Sequence, residues 1–254
     1  MKKIERPHYT HIRHNLLFEE KDHTDITSDT TNVGRFYHTP DGKRYPSVTT
    51  VLGAKPNPGI TARRQRVGEK EANRIMHHAA TRGTALHETV ERYCNNEKTH
   101  FELDAMPNVK AMFHAIEPVL QKIGPIALQE KGLYSHRLEL AGRVDMVADF
   151  DGIPSIIDFK TSSRRKTRSQ IKSYFMQATA YATMFEEMTS SPIEQMVIIM
   201  AVENDPTPLV FVEKDREEWM DLLLEALAYY KEHGHPAQKR LFKETVTNMK
   251  IKQL

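Results

Sequence analysis

A single cysteine, Cys94, stands among 254 residues, so an internal disulfide, a CxxC redox pair and a four-cysteine zinc or iron–sulfur site are excluded. The same scarcity fits a reducing compartment. No stretch approaches the ~18 consecutive apolar residues of a membrane span. The opening MKKIERPHYTHIRHN has no apolar run of the kind a secretory signal needs, and Glu19, Glu20 and Asp22 follow too soon for an acid-poor mitochondrial presequence. A cytoplasmic protein with no membrane partner is expected. Charge of one sign is lacking as well: 36 Lys and Arg face 34 Asp and Glu, a net charge of +2. Any case for a nucleic-acid partner therefore rests on where the charges sit. Internal repeats and low-complexity tracts are absent. What the chain does have is 39% hydrophobic residues, enough for one sizeable core.

Residues 1–33 are polar and aperiodic and read as an arm; 34–254 read as one domain. Within that domain, 34–124 form a hairpin and helical part, 125–235 the sheet-bearing core and 236–254 a basic tail. RFYHTPDGKRYPSVT sets Asp41-Gly42 between two aromatic-bearing runs, which predicts a small hairpin, and Pro46-Ser47 offers a helix start near Val48. From Thr61 to Asn95 no proline intervenes, so one long helix is expected, or two joined near Gly83. A helix over 107–123 follows, disturbed by Pro118. From Ile126 the period becomes that of strands. The pattern predicts strands at 126–134, 138–150, 153–161, 194–203 and 208–213, with helices at 168–188 and 215–233. That order implies an α/β fold with a mixed central sheet flanked by helices and a helical N-terminal part.

The most informative segment is AGRVDMVADFDGIPSIIDFKTSSRRK. If Asp151-Gly152 is a two-residue turn, Phe150 faces Ile153 and, counting back, Asp145 faces Asp158. Facing residues on one side of a sheet have Cβ atoms roughly 4.5–5.5 Å apart, so the two carboxylates can converge on a hard divalent cation. Lys160 shares that face. Pro154 cannot donate to a ladder, and a one-residue slip would send the aspartates to opposite faces. Ile156, Ile157 and Phe159 imply burial, where an unpaired Asp158 is costly.

Gly142-Arg143-Val144-Asp145, Asp158-Phe159-Lys160 and the QATAY run holding Gln177 and Tyr181 resemble the motifs of the RecB-like branch of the PD-(D/E)XK nucleases. RGTALHETVE upstream is similar to that branch's helical motif. The order YPSVTTVL, basic helix, RGTALHE is similar to the mitochondrial genome maintenance exonuclease group with its phage and bacterial relatives. The likeness covers about residues 45–185. It implies a restriction-endonuclease-like core in which Asp145, Asp158, the Phe159 carbonyl and His87 hold Mg²⁺ or Mn²⁺. Glu130 would lie close to the metal, and Lys160 would orient or deprotonate the attacking water. Gln177, Tyr181 and Arg82 would contact DNA. Two features depart from relatives: the cysteines of an iron–sulfur cluster are missing, and no GxxxxGK[ST] loop is present, so no helicase motor is fused here.

Between Lys160 and Phe185 six basic residues and no acidic one occur, among them Arg164, Arg165 and Lys166, which implies a basic path leading from the metal. Residues 61–74 and the tail are further basic stretches. Phe36, Tyr37 and Tyr45 could stack bases, although a small hydrophobic cluster is the plainer reading. His8, His11 and His14, at three-residue spacing, read as part of the arm rather than a metal site. The expected function is a metal-dependent deoxyribonuclease, an exonuclease on single-stranded DNA ends in repair, replication or recombination, with proteins of those processes as partners. The rivals are a noncatalytic nucleic-acid-binding subunit of the same fold and a structure-specific endonuclease.

Overall fold

The computed structural model describes residues 26–97, 101 and 106–234. His8, His11, His14 and the basic tail lie outside the described residues. The expected arm ends in a strand: β1 (Thr27–Thr31) pairs antiparallel with β2 (Gly34–His38), which pairs with β3 (Arg44–Pro46). β1 reads TSDTT, with no apolar alternation to announce it, and its side chains stay largely exposed. Asp41-Gly42 lies in the β2–β3 turn, where Gly42 adopts φ +81°. Ser47 caps the following helix α1 (Val48–Leu52) by accepting from the Thr50 N–H, an interaction typically worth about 1 kcal/mol.

The break in the helical region falls at Gly68, not at Gly83. α2 (Pro58–Val67) ends at Gly68, whose φ of +82° turns the chain into α3 (Glu69–Cys94). Gly83 lies inside α3, where its hydrogen faces Thr161 of the sheet. A helix tolerates glycine at a propensity cost, whereas a positive φ with the extended ψ of 154° found at Gly68 all but demands it. α4 (Pro107–Leu120) keeps Pro118 in its last turn.

The main sheet runs in the order β4 (Ile123–Ser135), β5 (Leu140–Phe150), β6 (Ile153–Ser162), β7 (Gln195–Val202), β8 (Leu209–Glu213). It is antiparallel except for the parallel β6–β7 pair, whose crossover is a single 3₁₀ turn (Arg168–Ile171) followed by α5 (Lys172–Thr189). β7, QMVIIMAV, is buried at every position because helices cover both faces, so it reads as a continuous apolar run. α1, α5 and α6 (Glu217–His233) cover one face, where Phe175 stacks on Trp219 at 4.9 Å between centroids. α3 and α4 cover the other with Leu86, Val90, Phe113 and Ile116. No described helix is long and apolar enough to cross a membrane.

Candidate active site

The register expected for the β5–β6 hairpin holds through five pairs, from Phe150↔Ile153 to Met146↔Ile157, with Pro154 opposite Asp149 and no slip. The next pair does not form. Beyond Met146 the two strands separate while β6 stays paired with β7 as far as Ser162. The Phe159 N–H then has no β5 carbonyl to meet, and it donates to Asp145 Oδ2 at 2.8 Å. A buried backbone donor has to be satisfied somewhere, and here an acidic side chain fills the place of a ladder bond. Asp145 is thereby fixed at the mouth of the opening.

α3 brings His87 to the same place. Its Nε2–H donates to the Phe159 carbonyl at 2.7 Å, and its Nδ1 faces Asp145 Oδ2 at 3.6 Å and Glu130 Oε1 at 3.9 Å. Glu130 reaches this point through its backbone: its φ is +48°, a left-handed conformation that costs a non-glycine residue about 1 kcal/mol or more. The kink interrupts the β4–β5 ladder between Gln129↔Met146 and Lys131↔Val144, and Arg143 Nη1 braces it by donating to the Glu130 carbonyl at 2.7 Å. Ligand atoms of His87, Glu130 and Asp145 all lie within 4.8 Å of one another.

Asp158 and Lys160 follow on β6. Lys160 Nζ donates to Asp158 Oδ1 at 2.5 Å, and it sits 5.3 Å from the centroid of the Tyr174 ring. Asp158 Oδ2 is buried with no hydrogen-bond partner. A buried carboxylate oxygen left unpaired is costly, and a cation is the partner such an atom lacks. A set of carboxylate oxygens with one imidazole suits Mg²⁺ or Mn²⁺, so the residues fit a divalent metal.

The electrostatics agree. Burial, reinforced by the Asp145 charge and opposed by Lys160, pushes the Asp158 carboxyl up to about 6. Burial alone would lower His87, but the neighbouring Asp145 and Glu130 carboxylates outweigh it and lift the imidazole to about 9. Lys160 is likewise opposed by burial and held charged by Asp158 and Asp145. Five charged or chargeable groups are crowded together, three acids against two bases.

A profile of the PD-(D/E)XK nuclease superfamily matches residues 61–246, well over half the chain. The chain belongs to this superfamily. Its mixed five-stranded sheet flanked by helices has that superfamily's architecture. It is also similar to a solved structure from Eubacterium rectale described as an exonuclease candidate: 11% identity, TM-score 0.41, over 59% of this chain and 63% of that one. The match thus spans under two-thirds of that protein's length. No curated protein matches the sequence.

In this member of the PD-(D/E)XK superfamily the residues expected to contact DNA divide. Gln177 Nε2 donates to the Tyr181 hydroxyl at 3.2 Å, and Tyr181 is buried against Gly142. Lys166 donates to the Tyr174 hydroxyl at 2.9 Å, which leaves it on the same ring as Lys160. Arg164 is exposed, whereas Arg165 pairs with Asp205 at 2.7 Å. Arg168 and Lys172 are turned to Glu218, and Arg168 also to Glu213, so the basic run is partly neutralised by acids distant in sequence. Arg82 is buried and pairs with Glu203 at 2.9 Å, which ties α3 to the residue that follows β7. Phe36 and Tyr37 are core residues rather than stacking platforms, and Arg44 lies over the Phe36 ring at 3.8 Å.

Sequence reasoning missed two features. One is the left-handed Glu130, for which QEKG suggests Gly132 as the irregular position. The other is Arg35, which lines a cleft of about 480 Å³ with His87, Glu88, Glu91, Glu130 and Asp145. Glu91 follows His87 by four residues and so shares its face of α3.

Proposed function

We propose that the protein is a Mg²⁺- or Mn²⁺-dependent exonuclease acting on single-stranded DNA ends, resembling the RecB-like, mitochondrial genome maintenance branch. The observation that carries the metal-dependent part is the buried, unpartnered Asp158 Oδ2 beside the His87–Glu130–Asp145 cluster. Asp145, Asp158, His87 and the Phe159 carbonyl would hold the ion, with Glu130 binding directly or through water. When bound, a divalent ion supplies Lewis acidity, making water a competent nucleophile at neutral pH and neutralising charge that gathers on the phosphate.

This chain's own residues do the rest. Lys160, as an ammonium, orients the attacking water and donates to the phosphate oxygens. Asp158 Oδ1 fixes where that ammonium points, and the Asp145 contact with the Phe159 N–H fixes the strand that carries both. Lys166 and Arg164 begin a phosphate track next to Lys160.

The single-strand preference is supported by the helical part. α2 has no buried residue, and between Asn73 and Thr81 α3 has none either, so these stretches stand clear of the core. They carry Arg63, Arg66, Lys70 and Arg74. A passage between them and the basic segment after Lys160 would admit one strand and exclude a duplex. The noncatalytic reading is disfavoured because Asp145, Asp158 and Lys160 are all present together with the metal-compatible cluster.

The test is digestion of closed single-stranded DNA circles against the same molecule linearised, with each end blocked in turn. Degradation of linear strands alone is the expected result. Circles degraded as fast as linear strands would overturn the exonuclease reading in favour of an endonuclease.

A further inference from the structure

Resting on that reading, we propose that Arg35, from the N-terminal three-stranded sheet, is a phosphate-contact residue that seats the nucleic-acid backbone across the metal-binding side chains. Its place is the first reason. Arg35 lines the cleft that holds His87, Glu130 and Asp145, although it precedes them by 52 to 110 residues in the chain. The second is charge. That wall of the cleft carries Glu88, Glu91, Glu130 and Asp145, so a polyanion needs cationic groups on the rim to come near. Arg143 lies there too, and one of its N–H groups holds the Glu130 carbonyl.

The third reason is the care with which the backbone at Arg35 is fixed. Its N–H donates to Thr50 Oγ1 at 2.9 Å, and its carbonyl accepts from the Ser47 N–H at 2.8 Å and the Thr50 hydroxyl at 3.3 Å. Thr50 can come this close only because residue 34 is glycine: at φ +133° a Cβ on Gly34 would stand 2.4 Å from Thr50 Cγ2. β2 is also paired on both sides, to β1 and β3. Three positions thus hold the main chain of one exposed arginine, whose own side chain, among the described residues, makes a 3.4 Å contact with Thr30 Oγ1. A fixed backbone with a head group that can swing suits capture of a phosphodiester, to which a guanidinium donates two parallel hydrogen bonds where an ammonium donates one.

The experiment uses the full chain and a fluorescently labelled oligothymidylate. Binding is measured in EDTA over a range of NaCl concentrations, and cleavage with Mn²⁺. Arg35→Ala should weaken binding about tenfold and lower the slope of log affinity against log salt by about one. Arg35→Lys should keep the slope and lose part of the affinity. Gly34→Ala, which leaves the guanidinium in place and moves its anchor, should weaken binding as well while keeping the slope nearer to wild type. Affinity and slope of Arg35→Ala matching wild type while the wild type cleaves would overturn this assignment alone. No cleavage by wild type with either Mg²⁺ or Mn²⁺ would overturn the nuclease reading, and this assignment with it.

Discussion

At the scale of single residues, the site depends on groups held in costly states. Asp158 is buried with one oxygen unpaired, Glu130 has a left-handed backbone, and His87 is lifted well above an ordinary imidazole. Such costs persist where binding repays them. Asp158→Ala or Lys160→Ala should cut turnover by about 10² or more and leave DNA affinity within a few-fold, because chemistry and phosphate binding use different groups. Comparing single-turnover rates with binding in EDTA checks this; turnover near the wild-type rate in either variant would remove these residues from the mechanism. The pH dependence has a definite sign. His87 rises from 6.5 unfolded to about 9 folded, so its stabilising contribution is full below pH 6.5 and is lost as pH climbs through 9. Metal-free protein should therefore lose thermal stability across that window, and His87→Ala should flatten the slope. Because an ion must displace the imidazole proton, Mn²⁺ affinity should rise over the same interval. Melting curves in EDTA and Mn²⁺ titrations at several pH values measure both.

At the scale of elements, glycines of similar appearance in the sequence have opposite meanings. A Cβ on Gly142 would fall 2.7 Å from the Tyr181 ring, which is buried and cannot retreat. Gly142→Ala should destabilise by about 1–3 kcal/mol and disturb the Gln177–Tyr181 pair. Gly83 has only Thr161 Oγ1 within reach, at 3.8 Å, which is ordinary contact. Gly83→Ala should be neutral, or stabilising by up to about 1 kcal/mol through helix propensity. Urea unfolding of the two variants distinguishes them. The close approach to a glycine occurs at Gly142, from the Tyr181 side chain, and not at Gly83. Most elements were legible because each strand and helix keeps its period: the β5–β6 register followed from the Asp151-Gly152 turn alone. The Gly68 break was not, because a φ of +82° leaves no mark beyond one glycine among several.

At the scale of the whole molecule, two kinds of contact escaped the sequence. The first is pairing between distant charges. Arg82 with Glu203, Arg165 with Asp205 and Arg168 with Glu213 join positions 40 or more residues apart, and nothing local announces them. The second is the docking of β2 beside α1 that brings Arg35 to the cleft. His87, Glu130, Asp145 and Asp158, by contrast, were singled out in the sequence by strand alternation and the family likeness, and the structure brings His87, Glu130 and Asp145 together. Exposed ion pairs are weak and exchangeable, so a DNA strand can still recruit part of the basic run. Changing Arg164, Arg165 and Lys166 together should lower the salt slope by up to about three, and by less to the extent that Arg165 stays with Asp205. A slope equal to that of wild type would place the DNA elsewhere on the surface.

The most direct test of the metal-dependent active site is one cleavage assay on an end-labelled single-stranded oligonucleotide. Wild type and Asp158→Ala are each incubated with Mn²⁺ and, separately, with EDTA. Product should form only in the wild-type reaction with Mn²⁺. Cleavage that survives EDTA, or that Asp158→Ala performs at the wild-type rate, would contradict a metal site built on Asp158, Asp145, Glu130 and His87.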